Sequence, residues 1–340
     1  MKVSLYVYQL HFLEVTKLLK GITLGYLGLL VLYVALRFIP NPVWWLELVH
    51  TFSLYLFVFL PSALLLSLAK AWRWLAGLSI LLILGLGVYL VPYFTPVPRC
   101  AAPAFKVISY NMRNDTADFI DFVKREDADI IFVQENAQVY ANVGVSELLE
   151  TYPYQISQLE AWGNMILSRY PIVESENLET FGYSLPQRAV INLEGERIAV
   201  YNLHLTWPIV QPRVDLGTPF FPINALSRYD ETARNIQLEQ LLALLDKEPL
   251  PWLAVGDFNL SSFSPVYNQL RLHMNDAHRE AGFGLGVSWP APANELRLLP
   301  LLRIDYVWHS DDFKACSSRR ASALASDHFP QVATLSLPYY

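Results

Sequence analysis

The sequence predicts an α/β (α+β) layered domain behind three transmembrane helices. Three observations carry that reading. Apolar runs at 21–39, 49–68 and 74–94 fill the first hundred positions. From 105 onward the chain opens strand–helix–strand, the start of a layered α/β unit rather than a barrel or a bundle. Between 109 and 328, short polar cassettes repeatedly end apolar, strand-like runs.

Each apolar run is about twenty residues, long enough to cross the hydrocarbon core as a helix. Stretches such as Leu78-Ser79-Ile80-Leu81-Leu82-Ile83-Leu84 are apolar all round, and such helices are either buried in protein or surrounded by lipid. A bundle of buried soluble helices is the competing reading. Trp44, Trp45, Trp72 and Trp74 stand near the run ends, where interfacial aromatics belong. Lys2, Lys17 and Lys20 precede the first run, and Lys70 and Arg73 separate the second from the third. Arg37, Glu47, Arg99 and Lys106 mark the opposite side. The positive-inside bias then puts the N-terminus in the cytoplasm. Three spans leave the C-terminal domain on the periplasmic or extracellular side of a cytoplasmic membrane. Residues 1–20 lack a small-residue cleavage site, so they read as an interfacial helix rather than a removable signal. Pro92, Pro96, Pro98 and Pro103 mark the exit. The predicted organisation is an anchor over 1–94, a linker over 95–104 and a catalytic-type domain over 105–340.

Within that domain, 105–110 is β-prone and ends in Asn111. Thr116 reads as the N-cap of a helix over 117–125, with Phe119, Ile120, Phe122 and Val123 facing a sheet. A buried-type strand over 129–133 ends at Gln134-Glu135. Residues 165–172 read as a strand that leaves through a turn marked by Pro171. A hairpin follows, with 189–193, the Glu194-Gly195 turn, and 197–202 running into His204. Residues 206–227 form a long loop of prolines and aromatics; such loops are usually functional or disordered, and the apolar content favours function. A helix over 229–245 places Leu238, Leu241, Leu242 and Leu245 on one face. The strand at 252–256 opens into Asp257-Phe258-Asn259 and a short helix near 265–272. A loop over 282–292 and strands at 303–309 and 332–337 complete the domain, with Ser326-Asp327-His328 just before the last strand.

Charge is distributed as unevenly as hydropathy, whose chain mean is +0.27. Of 25 Lys/Arg and 31 Asp/Glu, seven basic and two acidic residues lie in 1–100, leaving 101–340 with 18 against 29. Non-specific nucleic-acid binding calls for a basic footprint, so an acidic domain argues against that class. Cys100 and Cys316 lie in no CxxC or Cys/His spacing, which argues against structural zinc. They either pair or remain free thiols.

The cassettes fit one chemistry. A phosphodiester resists hydrolysis because its charge repels nucleophiles and its alkoxide leaves poorly. A catalyst must neutralise charge, activate water and stabilise the leaving oxygen. Glu135 and Asp327 suit a hard cation such as Mg²⁺. Asn111 and Asn259 can orient phosphate oxygens or ligate through their carbonyls. His204 and His328 can donate to phosphate or shuttle protons, and Asp257 or Asp305 can fix an imidazole or polarise water. Singly, each has an ordinary explanation: Glu135 as a solvated loop carboxylate, His204 as a structural histidine, Asp327-His328 as a turn, the asparagines as turn formers. Their joint occurrence at strand exits outweighs those explanations.

The stretches Ile108-Ser109-Tyr110-Asn111, Asp129-Ile130-Ile131-Phe132-Val133-Gln134-Glu135, Ile166-Leu167-Ser168-Arg169-Tyr170-Pro171, Tyr201-Asn202-Leu203-His204, Gly256-Asp257-Phe258-Asn259, Arg303-Ile304-Asp305-Tyr306-Val307 and Ser326-Asp327-His328-Phe329-Pro330 form an ordered set. With them, 106–335 resembles the endonuclease/exonuclease/phosphatase superfamily of DNase I-like nucleases, abasic-site endonucleases, neutral sphingomyelinases and inositol polyphosphate 5-phosphatases. The leader is outside the resemblance.

The resemblance implies a DNase I-like, four-layered α/β sandwich with its site at one end of two packed sheets. Glu135 would be the main Mg²⁺ ligand, supported by Asn111, with Asp327 beside the metal and Mn²⁺ as a substitute ion. His328 would be the general acid/base, oriented by Asp305. Asp257 would position or deprotonate water, and Asn259 would hold a phosphate oxygen. His204 matches the DNase I and sphingomyelinase branches rather than the abasic-site endonucleases, and no counterpart of the 5-phosphatase signature is present. Arg169 and Arg188 are candidates for phosphate or structural partners. The expected protein is a membrane-anchored hydrolase of phosphodiester or phosphate ester bonds. Its partners would be the lipid bilayer and a phospholipid or nucleic-acid substrate, and no protein partner is deducible. The alternative is a non-catalytic membrane-tethered scaffold that retains the fold. A transporter-like leader is disfavoured because its spans carry almost no charge.

Overall fold

The computed structural model describes residues 2–39, 43–98, 100, 103–113, 118–136, 147–157, 163–178, 186–209, 228–292 and 299–337. Thr116 and most of the 206–227 loop lie outside them. The chain forms two compact units, 1–43 with 52–91, and 44–51 with 92–340.

The first unit is helical. Helix α1 (Lys2–Leu36) runs unbroken through the region expected to be interfacial. Among the described residues, two helical stretches are long and apolar enough to cross a membrane, Phe12–Leu36 and Arg73–Phe94 (α4). The middle run is divided: helix α2 (Trp44–Thr51) belongs to the second unit, and the helical stretch Ser53–Ala69, which includes α3 (Leu60–Ala69), to the first. Pro61 in the first turn of α3 favours a fresh helix start, since a missing N–H costs nothing there. Leu27, Leu30, Leu60, Ala63 and Leu75 pack together, while Leu29, Leu81 and Val88 are largely exposed. Helices that are apolar all round are either buried in protein or surrounded by lipid, and these side chains are not buried in protein.

Among the described residues, the strands of the second unit are β1 (Ala104–Asn111), β2 (Ile130–Gln134), β3 (Tyr154–Ser157), β4 (Met165–Ser168), β5 (Ile172–Asn177), β6 (Gln187–Leu193), β7 (Glu196–His204), β8 (Trp252–Asp257), β9 (Asn275–Asp276), β10 (Asp305–His309), β11 (Lys314–Arg320) and β12 (Gln331–Ser336). They form two six-stranded mixed sheets, the first in the order β11-β12-β1-β2-β4-β3 and the second β5-β6-β7-β8-β10-β9. Phe105, Val107, Ile130 and Phe132 of the first sheet meet Val200, Leu253, Val255 and Val307 of the second in a shared core. Alternate residues face outward. Ile108, Tyr110, Ile131 and Val133 pack on helix α5 (Phe119–Glu126). Tyr201, Leu203, Ala254 and Trp308 pack under helix α6 (Thr232–Leu245) and helix α7 (Pro265–Leu270). Helix–sheet–sheet–helix is the four-layered arrangement expected, and burial on both faces explains why the central strands read as continuous apolar runs.

Local chemistry sets the boundaries. Glu194 and Gly195 both have positive φ (54° and 108°), as the expected hairpin turn requires. Helix α6 starts at Thr232 rather than Tyr229, because Asp230 accepts the Thr232 N–H (2.8 Å) and Tyr229 bridges to Ile209. The 165–172 run divides at Pro171, and β5 crosses to the other sheet. Helix α8 (Ala277–Ala281) is capped by Asp276. The linker is held to the domain where Val97 N donates to Glu280 O (2.9 Å) and where Cys100 is disulfide-bonded to Cys316 of β11.

A polar tie joins the sheets. Asn202, fully buried, donates from Nδ2 to Val133 O (3.1 Å) and Met165 O (2.9 Å), and its Oδ1 accepts from Gln134 Nε2 (2.7 Å). Asn202→Ala strands those carbonyls and is expected to cost about 3 kcal/mol. Thermal unfolding should fall by roughly 6–12 °C; an unchanged midpoint would remove Asn202 from the inter-sheet tie.

Candidate active site

The inner faces of both sheets turn from apolar to polar at one end of the shared layer. On β1 the inward series runs Phe105, Val107, Ser109, Asn111, and on β2 it ends at Gln134. On β7 it ends in Asn202 and His204, and on β8 in Val255 and Asp257. Register does the rest. His204 of β7 pairs with Asp257 of β8, and Asp257 pairs with Asp305 of β10, so one row of the second sheet presents all three side by side. Across the layer, Asn111 pairs with Gln134, one residue before Glu135.

Two backbone features shape that end. Gly256 has φ +139°, and a Cβ there would lie 1.9 Å from Leu203 O. Only glycine lets β7 and β8 approach this closely beside His204 and Asp257. Glu135 and Asn259 adopt left-handed φ values of 55° and 48°, an uncommon conformation for non-glycine residues that clusters at functional sites.

Asp257 Oδ2 is the hub. It accepts from Asn111 Nδ2 at 3.1 Å and lies 3.8 Å from both His204 Nε2 and His328 Nε2. Asn111 Nδ2 also reaches Glu135 Oε1 (3.0 Å), which lies 3.5 Å from His204 Nε2. His328 Nδ1 sits 3.0 Å from Asp305 Oδ2 and 3.2 Å from Oδ1. Ser326 secures the last cassette: its Oγ donates to Asn111 O (2.7 Å) and accepts the His328 N–H (3.1 Å). The structure therefore brings together Asn111, His204, Asp257 and Asp305 from four strands, Glu135 from just past β2, and His328 from a loop.

Two expected residues are engaged differently. Asn259 donates its backbone N–H to Asp257 Oδ1 (2.8 Å) and its amide to Leu205 O (2.9 Å). One N–H of that amide serves the chain just past β7, and the backbone N–H orients Asp257. Asp327 Oδ2 accepts from Trp289 Nε1 (3.3 Å) and lies 3.5 Å from Arg113 Nη1. The two arginines in question are structural: Arg169 pairs with Asp127 and Asp129, and Arg188 with Glu176 and Glu248.

Several supporting residues escaped sequence reasoning. Ser288 Oγ accepts the N–H groups of Ile304 (3.0 Å) and Asp305 (3.1 Å), fixing the strand entry that aims Asp305. Arg303, two residues earlier, is buried against Asp276, with Nη1 to Oδ1 at 3.0 Å and Nη2 to the Tyr267 hydroxyl at 3.0 Å. Ser288 and Trp289 lie in the loop expected over 282–292; nothing in the sequence marked Arg113.

Electrostatics separate the roles. Burial raises Glu135, offset in part by the Asn111 amide. Burial, reinforced by Asp305, pushes Asp257 up to about 6. Burial opposes charge on both imidazoles. For His204 it wins and lowers the pKa, whereas for His328 the Asp305 and Asp257 carboxylates win and raise it to about 10. The site holds one neutral and one cationic imidazole.

The donor set fits a divalent cation. Among the described residues, Asp257, Asp305 and His328 bring ligand atoms within 4.8 Å of one another. His328 Nδ1 and Asp305 already satisfy each other, however. Glu135 is the better hard-oxygen candidate, a buried carboxylate whose closest donor is the uncharged Asn111 amide; Asn111 Oδ1 itself accepts the Arg113 N–H (3.1 Å).

A family model described as "Endonuclease/Exonuclease/phosphatase family" matches residues 108–328. Among curated proteins none matches the chain. Solved structures share the fold. An endonuclease/exonuclease/phosphatase family protein from Leptotrichia buccalis is 16% identical with a TM-score of 0.50, covering 68% of this chain and 99% of that one. D. rerio TDP2 complexed with single strand DNA product is 16% identical with a TM-score of 0.51, covering 69% and 99%. The human Nocturnin catalytic domain with bound sulfate anion is 16% identical with a TM-score of 0.50, covering 71% and 96%.

The His328–Asp305 pair sets a pH dependence. A raised histidine pKa contributes stability that is fully present below the ordinary value of 6.5 and is lost as pH rises through about 10. Asp305→Asn should bring the His328 midpoint down toward 6.5, read from its ring proton by NMR titration, and should flatten the alkaline loss of stability. A midpoint still near 10 would mean that Asp305 does not hold the charge.

Proposed function

The chain belongs to the endonuclease/exonuclease/phosphatase family, and we propose that it is a membrane-anchored, Mg²⁺-dependent hydrolase of phosphodiester or phosphate ester bonds. The observation that supports this most is the in-register row of His204, Asp257 and Asp305 facing Asn111 and Glu135, with His328 locked to Asp305. Glu135 and Asn111, with Asp327 beside them, would hold the cation, which when bound supplies the positive charge that lets a nucleophile approach a phosphate anion.

The chain's own residues divide the remaining work. His328, its Nδ1 committed to Asp305, presents Nε2–H to a phosphate or leaving oxygen and can deliver a proton there. Asp257, raised to about 6, is suited to take the proton of an attacking water at near-neutral pH. Asn259 N–H and Asn111 Nδ2 hold that carboxylate still. His204, neutral, can donate or accept at the opposite side of Asp257. The substrate is a phospholipid or a nucleic acid. The apolar leader and the acidic domain favour the lipid.

The domain faces the periplasm or the exterior in this reading. The excess of lysine and arginine before the first span supports it, and so does the Cys100–Cys316 bond, because disulfides persist in oxidising compartments. An alkaline-phosphatase reporter fused after residue 340 should then be active. A reporter active only in the cytoplasm would reverse the orientation.

Activity is tested with purified full-length protein on phospholipid vesicles and on labelled oligonucleotides, with Mg²⁺ and with chelator. Hydrolysis of at least one substrate should require the metal. Glu135→Ala and His328→Ala should each lower kcat by roughly a thousandfold, the scale for removing a central electrostatic or acid–base group. Unchanged turnover in both variants would defeat the assignment and favour the scaffold alternative. Rapid oligonucleotide cleavage with inert vesicles would make nucleic acid the substrate.

A further inference from the structure

Asn259 is held from outside the site as well as within it. Arg234 of α6, almost wholly buried, donates from Nη1 to Asn259 O at 2.8 Å. Its Nη2 pairs with Glu231 Oε2 at 2.5 Å. Glu231 is buried too, and its Oε1 accepts from the Tyr229 hydroxyl (2.5 Å) and from Thr51 Oγ1 (3.1 Å). Those two hydroxyls lie 2.6 Å apart. A second arm returns directly: Ser261, two residues past Asn259, donates from Oγ to Thr51 O at 2.9 Å. Glu231 N also faces Glu47 Oε2 at 3.4 Å. Thr51, the last residue of α2, thus bonds to both ends of the arrangement that fixes Asn259.

A buried carboxylate and guanidinium lose several kcal/mol of hydration each, a loss that well-placed hydrogen bonds must offset. Here the carboxylate is completed by a hydroxyl from a segment some 180 positions upstream. Packing alone would be served equally well by apolar residues. What this arrangement adds is direction: it grips one carbonyl, in a residue whose left-handed backbone needs to be held from several sides. Asn259 N–H in turn holds Asp257 Oδ1.

We propose that α2, although part of the apolar leader, is a working part of the active site: Thr51, Tyr229, Glu231 and Arg234 are positioning residues that hold Asn259, and through it Asp257, in place. The inference rests on the hydrolase reading of that site, but the coupling itself has a readout that does not.

The test uses full-length protein in phospholipid nanodiscs, with bis(p-nitrophenyl) phosphate as the phosphodiester probe and saturating Mg²⁺. Thr51→Val removes the hydroxyl at nearly constant volume, and Tyr229→Phe removes the next one. Each should lower kcat about tenfold with KM unchanged, the loss expected for one hydrogen bond to a charged group. Thr51→Ser should restore it. Hydrogen exchange should accelerate in peptides covering 257–264 and stay at the wild-type rate in β1 and β12. Wild-type kcat, or wild-type exchange over 257–264, in both variants overturns the proposal. If one variant does not fold, the other decides. If the wild-type protein leaves the probe intact, the hydrolase reading fails for this probe, and exchange alone decides: acceleration confined to 257–264 upholds the coupling, and no acceleration removes it.

Discussion

Glu135, Asp257 and Asp305 are carried into the dry end of an inter-sheet layer where one imidazolium, His328, stands among them. Like charges at that spacing in low dielectric repel strongly, and each loses most of its hydration. The fold answers with hydrogen bonds: Asn111 spans two of the carboxylates, Asn259 N–H takes Asp257, and His328 takes Asp305. Much of the surrounding architecture follows from that demand. The inner faces change from Val and Phe to Asn, Gln and Asp only at this end. Gly256 lets two strands close up beside the charges, and Ser288 and Arg303 stiffen the entry to β10. The residual negative charge is what a divalent cation would complete.

The central strands could be read from the chain because burial on both faces makes them continuous apolar runs. The strands that went unread, β3, β5, β9 and β11, are the four edges of the two sheets. An edge strand has one solvated side and no need of an apolar run; β5 carries Glu174, Ser175 and Glu176, and β11 ends in Ser317-Ser318-Arg319-Arg320. The same physics blunts edges against unwanted pairing. Helix ends went astray where side chains intervened, as when Asp230 delayed α6 by capturing an N–H.

The site was legible for a related reason. Polar residues ending apolar runs are conspicuous, and six of those expected converge. Asn259 was placed in the right neighbourhood, but residue type does not reveal that its amide also serves Leu205 O. Arg113, Ser288 and Arg234 were invisible because their roles depend on three-dimensional proximity alone. Hydropathy likewise took Val49, His50 and Thr51, the end of α2, into the apolar run over 49–68. Averaging along the chain conceals that Thr51 faces Tyr229 and Ser261.

The bond between Cys100 and Cys316 closes a covalent ring that contains Asn111, Glu135, His204, Asp257 and Asp305, and leaves Asp327 and His328 just outside it. A protease that cuts once anywhere within the ring separates no fragment, because both pieces stay fastened to the leader through the sulfur bridge. A cut after Cys316 releases the His328 segment alone. Shedding all twelve strands in one piece therefore requires cleavage before Cys100, in the few residues that follow α4, and leaves α2 behind. Within the ring, a nick leads to release only after the bridge is reduced.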